Sequence, residues 1–137
     1  VRMGDPECQT ILPMLQSDLF EIFYSCCSES LNKTEVKLSD KKSICIVLCS
    51  IGYPEEYKKD VEIQNLDNLV LKENENIFHA GTRSKNGMIL ASGGRVLNFV
   101  SKSNNFKKSR EDIINLINKL DWKDGFFRRD IGYKVID

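Results

Sequence analysis

Residues 77–101 read IFHAGTRSKNGMILASGGRVLNFVS, and this stretch decides the fold. Asn86-Gly87 is a hairpin signal, because a two-residue turn of the favoured hand needs positive φ at both positions and Asn and Gly tolerate it best. Met88–Ala91 is then the returning strand, and Ile77–Ala80 is a strand before the turn. Gly93-Gly94 breaks the pattern ahead of Arg95–Ser101. There Val96, Asn98 and Val100 alternate with Leu97 and Phe99, which is the two-residue period of a strand. Upstream, Ser43–Ser50 is an almost unbroken apolar run that reads as a central strand, ended by Gly52-Tyr53-Pro54.

Helices are expected on either side of these strands. Ser17 is placed to cap a helix running to about Leu31, with Asp18 and Glu21 at its positive end and Leu19, Ile22, Phe23, Cys26 and Leu31 near helical spacing. Ser109 is placed to begin a second, with Glu111 and Asp112 in its first turn and Ile113, Ile114, Leu116, Ile117 and Leu120 as its apolar face. Residues 1–14 read as a loop and Asn32–Lys42 as a linker. Residues 55–76 read as a long loop with extended pieces near Val61–Ile63 and Leu69–Leu71, and Ile131–Ile136 as a last short strand. The expectation is an α+β fold, a small, mostly antiparallel sheet with helices packed on one face.

Composition narrows the function. A chain of 137 residues is long enough to bury a core without staples. Twenty Lys+Arg balance twenty Asp+Glu, so the electrostatic footprint of a nucleic-acid or polybasic membrane-surface protein is missing. No apolar run approaches the length of a membrane span. The five cysteines are odd in number and contain no CxxC, and the lone His79 leaves a zinc site short of ligands. Cys8, Cys26, Cys27, Cys45 and Cys49 are expected to be free, buried or partly buried thiols in a reducing cytoplasm, with Cys45 and Cys49 on one face of their strand. The first residue is Val1 and no leader-like segment follows, so the chain is expected to be cut from a longer polypeptide.

Three patches could carry chemistry. Residues 2–7, Arg-Met-Gly-Asp-Pro-Glu, could clamp an anion with Arg2 and accept from an amine or hold a metal with Asp5 or Glu7, or could be a turn with a surface ion pair. Gly93-Gly94-Arg95 could expose backbone N–H groups beside a guanidinium as an anion pocket, or could be a bend at a sheet edge. Phe126-Phe127-Arg128-Arg129-Asp130 could stack on bases; the reading preferred is two core rings and Arg–Asp pairs that pin the C-terminal segment. His79 reads as a hydrogen-bonded structural histidine rather than a base.

Taken in order, these patches resemble one family. Residues 2–9 (RMGDPECQ), Leu12-Pro13 and Ser17-Asp18-Leu19 look like the end of the ATP-grasp domain of phosphoribosylamine–glycine ligase, also called glycinamide ribonucleotide synthetase. Gly52-Tyr53-Pro54, residues 78–82 (FHAGT), residues 93–97 (GGRVL) and residues 128–132 (RRDIG) resemble the motifs of its C-terminal domain. The resemblance divides the chain into 1–33, the last segment of the ATP-grasp domain, and 34–137, the ligase C-terminal domain.

It implies a purine-biosynthesis ligase. Glycine is activated by ATP as glycyl phosphate, and the amine of 5-phosphoribosylamine then attacks to form glycinamide ribonucleotide. ATP and Mg²⁺ or Mn²⁺ are the cofactors implied for the full-length enzyme. The partners are these small molecules together with the N-terminal and ATP-grasp domains, with no nucleic acid and no membrane.

By the same resemblance Arg2 is catalytic, stabilising the acyl phosphate or its transition state. Asp5 faces the substrate amine. Arg95 clamps the ribose phosphate, with Gly93, Gly94 and Thr82 lining the site and Lys85 assisting. The family is much longer than this chain. Of its magnesium-holding Glu-x-Asn-Val-Arg motif only Val1-Arg2 is present, so the piece alone is expected to be inactive and to hold neither nucleotide nor metal. Cys8 and Thr10 depart from the commoner Glu-Thr-Gln-Pro pattern, and Tyr57-Lys58-Lys59-Asp60 lacks a glycine often found there. The alternative from another class is a stand-alone, non-catalytic binding or interaction module of the same fold.

Overall fold

The computed structural model describes residues 2–136. Among the described residues seven strands form two antiparallel sheets, with one long helix packed on the larger. The strands are β1 (Lys42–Ser50), β2 (Val61–Glu62), β3 (Glu75–His79), β4 (Thr82–Lys85), β5 (Met88–Ala91), β6 (Arg95–Ser103) and β7 (Gly125–Phe126). The larger sheet has the order β3-β6-β1-β7 and the smaller β2-β5-β4, so the single sheet expected from the sequence is divided in two. The break falls at Gly81 and Gly93. Gly81 donates to the Arg95 carbonyl at 2.8 Å and accepts from Ser92 and Gly93 at 2.8 and 3.0 Å. A Cβ on Gly81 would lie 2.6 Å from Gly93 Cα, an approach only glycine permits. Asn86-Gly87 closes the β4–β5 hairpin with positive φ at both residues, as its chemistry requires.

The helices are α1 (Glu7–Ile11), α2 (Leu19–Cys27) and α3 (Phe106–Leu120). In β1, Ile44, Ile46 and Leu48 point to α3 and are buried, as are Phe99 and Leu97, the β6 partners of Ile46 and Leu48. Ile113, Leu116, Ile117 and Leu120 of α3 complete this core with Trp122, whose indole N–H donates to the Glu62 carbonyl at 2.9 Å. Each of these side chains contributes roughly 1.5–3 kcal/mol by leaving water. α3 starts at Phe106, not Ser109, because the Asn105 side chain accepts from the Lys108 N–H at 2.8 Å and caps it. Ser109 is instead wholly buried and donates to the Lys42 carbonyl at 2.7 Å, tying α3 to β1.

The N-terminal region also differs from expectation. Residues 7–14 are helical, α1 followed by a 3₁₀ turn, because Pro13 sits at a permitted N-terminal position of that turn. α1 packs against β1 and β6 on the side away from α3, so the helices do not share one face. α2 is capped by Asp18, which accepts from the Glu21 N–H at 3.0 Å. Ser17 is drawn off to the 35–37 segment, donating to the Glu35 carbonyl and accepting from the Lys37 N–H. Cys26 and Cys27 are exposed rather than buried, since α2 lies on nothing that covers them. Residues 69–71 form no strand, and 133–135 form a 3₁₀ turn in place of one. The C-terminal tail is held by Arg110 on α3, whose guanidinium donates to the carbonyls of Ile131 and Arg129.

Candidate functional site

The N-terminal segment crosses the face of the sheet opposite α3 and brings Asp5 onto Arg95, ninety residues away. Arg95 is the first residue of β6 and sits across from Cys49, just past a register shift in β1. It donates from NH1 to the Asp5 backbone carbonyl at 3.0 Å, and NH2 lies 3.0 Å from Asp5 Oδ2. The other carboxylate oxygen, Oδ1, is buried without a partner. That arrangement leaves an acceptor free beside a guanidinium, which suits a ligand carrying both an N–H donor and an anionic group.

The glycines ahead of Arg95 are explained by the protein itself. A Cβ on Gly94 would lie 2.0 Å from Cδ2 of the Tyr53 ring, so that ring occupies the space over Gly94. Gly93 is pressed on Gly81, and its carbonyl accepts from the Ser50 hydroxyl at 3.0 Å. Thr82 begins β4, one residue past the Gly81–Arg95 backbone bond, and its hydroxyl is 2.9 Å from His79 Nδ1. His79 is thus hydrogen-bonded, as its sequence context suggested. Lys85 is at the far end of the hairpin opposite Met88. Arg2 is exposed, and among the described residues no hydrogen bond or ion pair joins it to Asp5 or Arg95. Val1 lies outside the described residues.

Under Arg95 the face opposite α3 opens as a cavity of about 410 Å³. Cys45, Val47 and Cys49 form its floor, so the two thiols do share a face. Burial, helped by the nearby Asp5 carboxylate, pushes the Cys45 thiol up to about 12. Burial also raises Cys49, with Arg95 opposing it in part. Both thiols are therefore neutral sulfur surface near neutral pH rather than nucleophiles. Tyr53 and Phe126 also line the cavity. In sequence Tyr53 stands at a strand end and Phe126 reads as a core ring, and no local signal marks either as a site residue. Phe127, by contrast, does pack on the core.

A resident metal does not fit these residues: among them no group of three or more His, Cys, Asp or Glu converges. No helix among the described residues is long and apolar enough to cross a membrane.

Residues 43–134 match the family model described as phosphoribosylglycinamide synthetase, C domain. The chain is 39% identical over 136 residues to phosphoribosylamine–glycine ligase of Agrobacterium fabrum, covering 99% of this chain and 32% of that protein. It is 35% identical over 138 residues to the chloroplastic phosphoribosylamine–glycine ligase of Arabidopsis thaliana, covering 99% and 26%. The crystal structure of phosphoribosylamine–glycine ligase from Thermotoga maritima superposes with a TM-score of 0.70 at 28% identity, covering 95% of this chain and 31% of that one. The chain thus spans about a third or less of the length of these relatives. It belongs to the phosphoribosylglycinamide synthetase family, of which it carries the C domain.

Proposed function

We propose that this chain is the C-terminal part of a phosphoribosylamine–glycine ligase, an ATP-dependent enzyme of purine biosynthesis that joins glycine to 5-phosphoribosylamine. In this reading Arg95 holds the ribose phosphate and Asp5 accepts from the amine, with Gly93, Gly94 and Thr82 at the margin of the same site. Arg2 approaches the reacting carboxylate from the exposed N-terminal stretch. The observation that carries the reading is the Asp5–Arg95 contact, which joins the two sequence patches the resemblance singles out. ATP with Mg²⁺ or Mn²⁺ would supply the activation of glycine, held by parts of the relatives' length that this chain does not span. The residues here bind and orient the sugar phosphate and amine. Residues 1–33 are assigned to the end of the ATP-grasp domain and 34–137 to the ligase C-terminal domain. The apolar side chains of α2 favour that division, because Phe20, Phe23 and Tyr24 remain exposed among the described residues.

The test is Arg95→Ala in the full-length ligase. A charge-assisted contact to a phosphate is worth roughly 1.5–3 kcal/mol, so kcat/KM for 5-phosphoribosylamine should fall by about ten- to a hundredfold while KM for ATP holds. An equal effect on both substrates, or none, would remove Arg95 from the site. Residues 1–137 alone should neither form product nor bind ATP–Mg²⁺ in a calorimetric titration.

A further inference from the structure

The cavity beneath Arg95 does not have the chemistry of a sugar site. Its floor is thiol and isopropyl, and Tyr53 and Phe126 add aromatic surface to it. Ile131, on the tail that Arg110 holds in place, adds another apolar side chain. Apart from the Tyr53 hydroxyl, these side chains provide no partner for the hydroxyls of a ribose, and a buried hydroxyl without a partner is disfavoured. A flat apolar ring system would meet carbon, sulfur and aromatic faces instead. The volume, about 410 Å³, is within the range of small-molecule sites.

Two guanidiniums line this apolar space. Arg95 donates one N–H to the Asp5 carbonyl and pairs with its carboxylate at 3.0 Å. Arg128 spends Nε and NH2 on Asp130, at 3.1 and 2.6 Å. A guanidinium has five N–H donors, so each keeps at least three. We infer that this cavity is a binding site for a flat aromatic anion, its rings on Cys45, Val47 and Cys49 between Tyr53 and Phe126, its charge on Arg128 and Arg95. Such a ligand would compete with a phosphate for Arg95, which makes the site a place where an aromatic anion controls use of the sugar phosphate. That control rests on the phosphate role proposed for Arg95; the binding site itself stands on the cavity, and its test uses other residues.

The test titrates the full chain with anilinonaphthalene sulfonate, a flat aromatic body with one negative charge. Saturable fluorescence enhancement is expected, together with shifts of the Val47 methyl NMR signals on the cavity floor. Arg128→Ala should weaken the sulfonate about tenfold but not the uncharged N-phenylnaphthylamine. Val47→Trp fills the cavity and should abolish both, whereas Phe20→Ser with Phe23→Ser, which strips the other exposed aromatic surface, should leave both intact. Unmoved Val47 methyl signals in the unmutated chain overturn the site without relying on any variant. Signal lost only with the Phe20 and Phe23 changes also overturns it. Equal affinity for the charged and uncharged probes overturns the anionic class.

Discussion

α2 and α3 have similar credentials on paper and opposite fates in the molecule. Each has a capping side chain and apolar residues at helical spacing. α3 buries Ile113, Leu116, Ile117 and Leu120 against β1 and β6. α2 buries only Ser25, and leaves Phe20, Phe23 and Tyr24 at 75%, 55% and 65% exposure. Periodicity states that a helix has an apolar stripe; it does not state what covers the stripe. α3 follows β6 directly and packs on β6 and β1, so its partner lies in the same chain. Three exposed aromatic rings on one short helix suit a surface that another part of the full-length protein would cover.

The two helices differ most at Leu120 and Phe23. Leu120→Ala removes a fully buried side chain and should cost about 2–5 kcal/mol in denaturant unfolding, while Phe23→Ala should change it by less than about 0.5 kcal/mol. Similar losses at both positions would mean that α2 is covered within this chain after all.

A smaller effect belongs to the polar side of α3. Asp112 is buried, and its Oδ1 receives Lys108 at 2.9 Å and Lys72 at 3.2 Å. Lys72 also reaches Glu75 on β3 at 3.2 Å, so one ammonium links α3 to the sheet edge. Burial works to raise the Asp112 carboxyl, but the hydrogen bonds from Lys108 and Lys72 prevail and hold it below its ordinary range. A depressed carboxyl stabilises the fold fully above its unfolded pKa, near 4, and that stability is lost as pH falls through the folded value. Lys72 is raised, chiefly by its hydrogen bonds to Asp112 and Glu75, so its contribution holds at neutral pH and is lost only as strong alkali takes its proton. Asp112→Asn should therefore cost about 1–3 kcal/mol at pH 7 and flatten the acid limb of the stability profile below about pH 4. An acid limb identical to that of the unmutated chain would assign the acid sensitivity elsewhere.

The smallest effect sharpens the contrast rather than breaking it. Phe20→Ser with Phe23→Ser should leave the unfolding midpoint of residues 1–137 nearly unchanged. In the full-length ligase the same pair should lower it measurably, if α2 docks on the remainder of that protein. No change in the longer protein would remove α2 from the proposed domain contact.

Much of the fold was legible because it is set locally. The Asn86-Gly87 turn, the apolar run of β1 and the stripe of α3 each follow from a few neighbouring residues. Errors arose where a side chain had a distant alternative. Ser17 and Ser109 both look like helix caps, but each is used by another segment, and Asp18 and Asn105 cap in their place. Gly93 and Gly94 suggested backbone open to a ligand, whereas Gly81 and the Tyr53 ring fill that space. Arg128–Asp130 does form the ion pair expected, yet Arg110 is what ties the tail to α3.

By itself the amino-acid order determined the strands β1, β3, β5 and β6, the tight turn, the core stripe of α3 and, through ordered motifs, the family. Only the tertiary structure decided that Asp5 meets Arg95, that α1 and α3 lie on opposite faces, and that thiols and aromatic rings enclose a cavity beneath that pair. The reason is range. Backbone preference and side-chain periodicity act over a few residues, whereas an ion pair across ninety positions forms only after the sheet has positioned both of its ends.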